Sequence, residues 1–200
     1  GYPVTGFDVV PAALEAARTK GVPVAASAAE AVAGADVVLT MFPGGQQVLD
    51  AYRGMESQQG LLAAARPGTM FLDCSTINVD EAREAAELAA GAGHRSVDAP
   101  VSGGVVGAEA GTLTFMVGGG AEDFEAVRPL LEVMGKRVVH CGGHGAGQAA
   151  KICNNLILGV SMIAVSEAFV LAEKLGLSHQ ALFDVASAAS GPGWARTPNC

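Results

Sequence analysis

Along the first 141 residues, short apolar runs alternate with amphipathic stretches; beyond them the apolar positions recur only at helical spacing. Val4 to Val9 reads as a short buried strand that meets an acid, Asp8, near its end. Pro11 stands at a first helical position, Ala12 to Lys20 continues as helix, and Gly21 stops it. Val22-Pro23-Val24 is extended, and Ser27 can cap a helix through Ala28 to Ala33, with Glu30 placed as in a capping box. The unbroken run Asp36 to Met41 predicts a strand covered on both faces. A loop at Phe42-Pro43-Gly44-Gly45 and helices over Gln46 to Tyr52 and Gln58 to Ala65 follow. Further strands are predicted at Thr69 to Asp73, Ser96 to Ala99, Leu113 to Val117 and Arg137 to Cys141, with helices at Val79 to Ala90 and Ala121 to Met134. A long helix then runs from Gly147 to about Leu175, and a last one, capped by Ser178, to about Ala189.

Strand-helix alternation followed by helix alone predicts an α/β fold. Its core is a Rossmann-like, open and mostly parallel sheet, followed by the start of an all-α domain. The expected division is a sheet domain over 1–146 and a helical region over 147–200. There is no internal repeat and no low-complexity linker. Both ends are abrupt, with Gly1-Tyr2-Pro3 leading straight into an apolar run, which reads as a fragment.

Half of the residues are hydrophobic and few are aromatic, which suits close packing of helices on a sheet. The formal charge is −8 and no basic patch is visible, which argues against nucleic-acid and acidic-membrane partners. The segment Ile152 to Ala172 is long enough to raise the question of a membrane span. Ser161, Ser166 and Glu167 interrupt it and no interfacial belt flanks it, so it reads as a buried helix of a soluble cytosolic protein. The four cysteines form no C-x-x-C pair and the four histidines show no ligand spacing, so no metal site is expected. No G-x-S-x-G elbow is present, which disfavours acyl transfer.

Ligands of open α/β sheets bind outside the carboxyl ends of the strands. Those ends carry Asp8, Phe42-Pro43, Asp73-Cys74-Ser75-Thr76 and Ser102-Gly103-Gly104. Asp8 is either a ribose-binding acid or a carboxylate at a helix N-terminus. Ser102-Gly103-Gly104 is either a cradle for a carboxylate or an ordinary tight turn. Gln148, Lys151 and Asn155 share one face of the long helix, with Asn154 at its margin. Lys151 is either a snorkelling surface lysine or a base at the mouth of an apolar site. Gly145-Ala146-Gly147-Gln148-Ala149-Ala150 matches the G-x-G-x-x-A fingerprint, but helix follows it instead of a second strand with an acid. Its glycines are better explained by a sharp turn from the sheet into the helix.

Several stretches, in order, resemble the β-hydroxyacid dehydrogenase family over essentially the whole chain. They are Tyr2-Pro3 through Val9, Thr40 to Pro43, Asp73 to Ile77, Asp98 to Gly104, Gly111 to Gly119, Gly145 to Asn155, and Ser190-Gly191 with Trp194. The resemblance implies NAD-dependent oxidation of a 3-hydroxy acid, 3-hydroxyisobutyrate, to its semialdehyde in valine breakdown. Lys151 then matches the catalytic lysine, and Ser102, Gly103 and Gly104 the loop that holds the substrate carboxylate. Asn155 matches the amide that orients the substrate, with Asn154 beside it. Phe42, Pro43, Gln47 and Thr76 match cofactor contacts, although the family often has Asn where Gln47 stands. Asp8 matches the acid at the adenosine ribose and favours NAD, because it would repel the extra phosphate of NADP. The resemblance also implies a dimer or tetramer in the cytoplasm, or in the mitochondrial matrix of a eukaryote. The family's first strand and its G-x-G-x-x-G loop have no counterpart here, and its helical domain is expected to run on beyond Cys200. Within the family the alternatives are tartronate semialdehyde and glyoxylate/succinic semialdehyde reductases, which often use NADPH. Outside it, the alternative is a non-catalytic scaffold without a phosphate loop.

Overall fold

A computed structural model of the chain describes residues 1–55 and 58–189. Ser190-Gly191 and Trp194 of the resemblance lie outside the described residues. The chain divides into two compact units, Gly1–Lys151 and Ile152–Cys200.

In the first unit, one six-stranded sheet has the order β1 (Val37–Thr40), β4 (Met70–Asp73), β5 (Arg95–Asp98), β7 (Leu113–Gly118), β6 (Val101–Ser102), with β8 (Gly135–Gly142) also on β7. The β1–β4, β4–β5 and β7–β8 pairs are parallel; β5–β7 and β6–β7 are antiparallel. Around it lie α1 (Pro11–Thr19), α2 (Ala28–Val32), α3 (Gly45–Arg53), α4 (Leu61–Ala64), α5 (Val79–Gly91), α6 (Gly104–Glu109) and α7 (Ala121–Met134). Because strand side chains alternate, β4 sends Phe71 into one core, with Val48, Leu49, Tyr52, Leu61 and Ala85. Met70 and Leu72 enter the other, with Val97, Phe115, Val117, Val127 and Leu131. Both faces of β4 are thus covered, whereas in β1 Val38 and Thr40 are buried and Leu39 is exposed, so the run read as covered on both faces is covered on one. Alanines 82, 85, 86 and 89 form the buried stripe of α5 and let it lie close to the sheet.

β5 and β6 are one strand in all but name. Asp98 faces Gly118, Val101 faces Phe115 and Ser102 faces Thr114, a single antiparallel register along β7. Met116 N–H donates to the Pro100 carbonyl at 3.1 Å in the same register. The interruption falls at buried Pro100, which has no N–H to give to a ladder. This strand continues past Asp73, where its pairing with β4 ends, and carries Ser102 beyond the sheet's parallel half.

Three expectations about where elements run fail in the first unit. Val4 to Val9 forms no strand: a lone parallel bridge joins Gly6 to Val24, and Val4 and Val9 are exposed. No ladder joins this segment to β1 among the described residues, and without one its apolar residues have no sheet face to enter. The helix read over Gln58 to Ala65 shrinks to α4, because a small hairpin precedes it, β2 (Gly54–Met55) with β3 (Gln58–Gln59). Gly54 has φ +85°, and a Cβ on Gly60 would fall 2.4 Å from the Arg53 carbonyl carbon, so only this glycine pair permits the reversal. The loop read after Ser102 contains the short helix α6.

The second unit holds the rest of α8 (Ala146–Lys174) and α9 (His179–Ala188). The Ser178 hydroxyl caps α9 by accepting the Ala181 N–H at 3.2 Å. Contrary to the expected buried helix, Leu156, Ile157, Val160, Met162 and Ile163 are exposed. A helix apolar all round needs cover on several sides, and within this unit α9 is the one other described helix. By length and composition α8 is apolar enough to cross a membrane, a property it shares with core helices of soluble proteins.

Candidate functional site

The carboxyl ends of β1 and β4 are knitted together by Asp73. Its carboxylate accepts the Thr40 hydroxyl at 2.8 Å and the Ser75 hydroxyl at 2.7 Å. Ser75 Oγ in turn accepts the Phe42 N–H at 2.7 Å, which fixes the loop that leaves β1. Burial raises the Asp73 pKa and the hydrogen bonds from Ser75 and Thr40 oppose that rise. Beyond this buried layer Pro43, Gln47 and Thr76 are exposed and Phe42 is half-buried: Phe42 and Pro43 follow β1, Thr76 follows β4, and Gln47 lies in the first turn of α3. Asp8 stands apart. Its carboxylate accepts the Val10 N–H at 2.7 Å ahead of α1, and the side chain is exposed.

A second cluster gathers at the β5–β6 strand. The Lys151 ammonium donates to the Val101 carbonyl at 2.7 Å. That carbonyl belongs to the residue before Ser102, so the lysine and the Ser-Gly-Gly loop are brought together. Gly103 and Gly104 have φ +131° and +59°, a conformation that favours glycine and explains both residues. Lys151 is half-buried, and desolvation lowers its pKa. Its amine is held at that backbone carbonyl. Asn154 and Asn155 are exposed residues of the second unit.

Two residues at the heart of this region escape a reading by pattern. Asp98 Oδ1 accepts the Gly145 N–H at 2.7 Å and Oδ2 accepts the Gln148 N–H at 3.0 Å. Burial raises the Asp98 pKa, against which those two N–H groups pull. Gln148 is fully buried, accepting the Ile77 N–H at 3.1 Å and donating to the Ser75 carbonyl at 2.7 Å. The available signals were an acid closing an apolar strand and an amide in an otherwise apolar helical turn. The same geometry disposes of the G-x-G-x-x-A match: the Asp98 carboxyl group already holds the Gly145 and Gln148 amides, leaving no cradle for a pyrophosphate.

The remaining groups are of the types that hold a dinucleotide. Asp8 offers an acceptor for ribose hydroxyls, and Pro43, Gln47 and Thr76 offer an exposed ledge of apolar, amide and hydroxyl groups. Comparison with known proteins agrees. Residues 1–143 match the family described as the NAD binding domain of 6-phosphogluconate dehydrogenase. Residues 145–199 match that described as the NAD-binding of NADP-dependent 3-hydroxyisobutyrate dehydrogenase. The chain belongs to the β-hydroxyacid dehydrogenase family.

Among its relatives in that family, a probable 3-hydroxyisobutyrate dehydrogenase of Mycobacterium tuberculosis is 54% identical over all 200 residues, which span 66% of the relative. An NAD-dependent L-serine dehydrogenase of Pseudomonas aeruginosa is 47% identical over 98% of this chain and 64% of its own length. This β-hydroxyacid dehydrogenase chain thus spans about two thirds of the length of the curated relatives it matches. A solved structure of Mycobacterium tuberculosis 3-hydroxyisobutyrate dehydrogenase with L-serine superposes with a TM-score of 0.92 at 55% identity, covering all of this chain and 67% of that one.

Proposed function

We propose that the whole protein oxidises 3-hydroxyisobutyrate to methylmalonate semialdehyde with NAD, using Lys151 as general base. The observation that carries this reading is the half-buried Lys151 amine, 2.7 Å from the carbonyl that precedes Ser102. The substrate carboxylate is held by Ser102 and the backbone at Gly103 and Gly104. Asn155, with Asn154 beside it, orients the substrate hydroxyl. Lys151 Nζ takes the hydroxyl proton as the hydride leaves the carbon that bears it, and returns a proton to the alkoxide in the reverse direction. A bound nicotinamide supplies the hydride acceptor. Asp8 holds the adenosine ribose, and its charge disfavours the 2′-phosphate of NADP; Phe42, Pro43, Gln47 and Thr76 line the cofactor's path.

Serine is the second substrate to weigh, since one relative and one solved neighbour carry L-serine in their names. It shares the hydroxymethyl and carboxylate groups of 3-hydroxyisobutyrate and differs by an amino group in place of a methyl. We further propose a domain boundary between residues 146 and 147 and a homo-oligomer, dimer or tetramer, in which the exposed apolar side chains of α8 are covered. The compartment is the cytoplasm, or the mitochondrial matrix in a eukaryote. The test is a panel on the full-length protein, 3-hydroxyisobutyrate and L-serine with NAD and NADP in parallel, and tartronate semialdehyde with NADH and NADPH. The expected result is the highest kcat/KM for 3-hydroxyisobutyrate with NAD; turnover of none of them would remove the reading.

A further inference from the structure

The first turn of α8 is fastened to three strand ends at once. Asp98, closing β5, accepts the N–H of Gly145, just before the helix, and that of Gln148, inside its first turn. Gln148 reaches the loop after β4 through Ile77 and Ser75. At β7, a Cβ on Gly118 would fall 2.4 Å from Asp98 Oδ1, and one on Gly147 would fall 2.3 Å from the Met116 carbonyl. Glycine at both places lets the helix start press against the sheet with the carboxylate between them. Three residues past Gln148, Lys151 returns to the same strand that anchors the helix, at Val101, three residues past Asp98. The β5–β6 strand and the start of α8 therefore close a ring of contacts whose two ends are the Asp98 carboxylate and the Lys151 amine.

We propose that Asp98 is the positioning residue for Lys151, with Gln148 as the second fastening. By fixing the height and rotation of the first turn of α8, the pair sets the amine on the carbonyl beside Ser102. The role rests on the reading of Lys151 as the base. Helix interiors hold themselves, but first-turn N–H groups need partners from elsewhere, and here the Gln148 N–H finds the buried Asp98 carboxyl group.

The test is a cycle of D98N, K151A and the double variant in the full-length protein, followed by kcat and by NADH binding. Asparagine keeps one acceptor and turns a donor toward the other N–H. D98N is expected to lower kcat by about 100-fold, as a misplacement of about 1 Å does, with NADH affinity held within about twofold. In the K151A background D98N should add almost nothing, since the group it positions is gone. Q148M, which loses both of its bonds at similar volume, should lower kcat by about tenfold with the same dependence on Lys151. It decides the matter by the same cycle if D98N is recovered unfolded. An active D98N beside an inactive K151A overturns the role of Asp98 alone. Equal losses in both backgrounds, or a parallel loss of NADH binding, reduce it to a general folding contribution and overturn it too. Wild-type turnover in K151A removes the general base, and this proposal with it.

Discussion

Val4 to Val9 and Met70 to Asp73 are both short runs of strand-forming residues that reach an acid, and they meet opposite fates. Every residue of the second is buried, with a ladder on each flank. The first has one bridge, and Val9 is 86% exposed. Local preference is nearly the same; what differs is the number of neighbours. The acids differ in the same way. Asp73 accepts from Thr40 and Ser75 and is occupied by its own fold, whereas Asp8 takes one local N–H and its carboxylate is exposed. Of these two acids, Asp8 alone keeps its carboxylate open to solvent, which is what the proposed ribose contact requires.

The contrast between a committed centre and an open edge can be attacked at several points. Lys151→Ala, at the centre's functional border, should cut turnover by about 10²–10⁴-fold while NADH binding, followed by fluorescence, stays near normal. With Lys151 present, burial lowers its pKa, so the free amine forms below the ordinary lysine value of about 10.4. Oxidation should therefore rise with pH through a midpoint under that value, and reduction should fall over the same window. Stability has the same sign: the unfolded chain binds this proton more tightly, so unfolding free energy should rise with pH up to about 10.4, and Lys151→Met should flatten that rise. A midpoint at the ordinary lysine value would mean that the amine is not desolvated.

Phe71→Ala, in the fully buried centre, should cost about 3–5 kcal/mol in urea unfolding. Asp8→Ala should leave stability almost unchanged and move the NADP/NAD preference by about tenfold toward NADP, about 1.4 kcal/mol, read from kcat/KM with each cofactor. Val9→Ala should change stability by no more than about 0.5 kcal/mol. A large loss there would show that the edge is covered in the whole protein and would erase the contrast.

Much of the fold could be read from local order. β4, β7, α5 and α7 were legible because continuous apolar runs and helical spacing state them within a few neighbours. The hairpin at Gly54 was not, because it depends on Gly60 passing against Arg53, which no periodicity encodes. Within the site, Lys151 and Ser102 could be singled out by residue type and place, while their proximity rests on a Val101 carbonyl that every sequence possesses. Asp98 and Gln148 were the least legible, because each is explained by partners far along the chain: Asp98 by Gly145 and Gln148, Gln148 also by Ser75 and Ile77.

That distance along the chain has a kinetic side. The bonds at Asp98 and Gln148 span 47 to 73 residues, so none can form until the intervening strands and helices have condensed. Such contacts form only after long loops have closed, and they belong to the slow, non-local part of folding. The lysine's place is thus set late, by the completed sheet and not by the helix that carries it. Amide exchange at Gly145 and Gln148 should then report global opening, with protection as high as that of β4 and far above that of Val9.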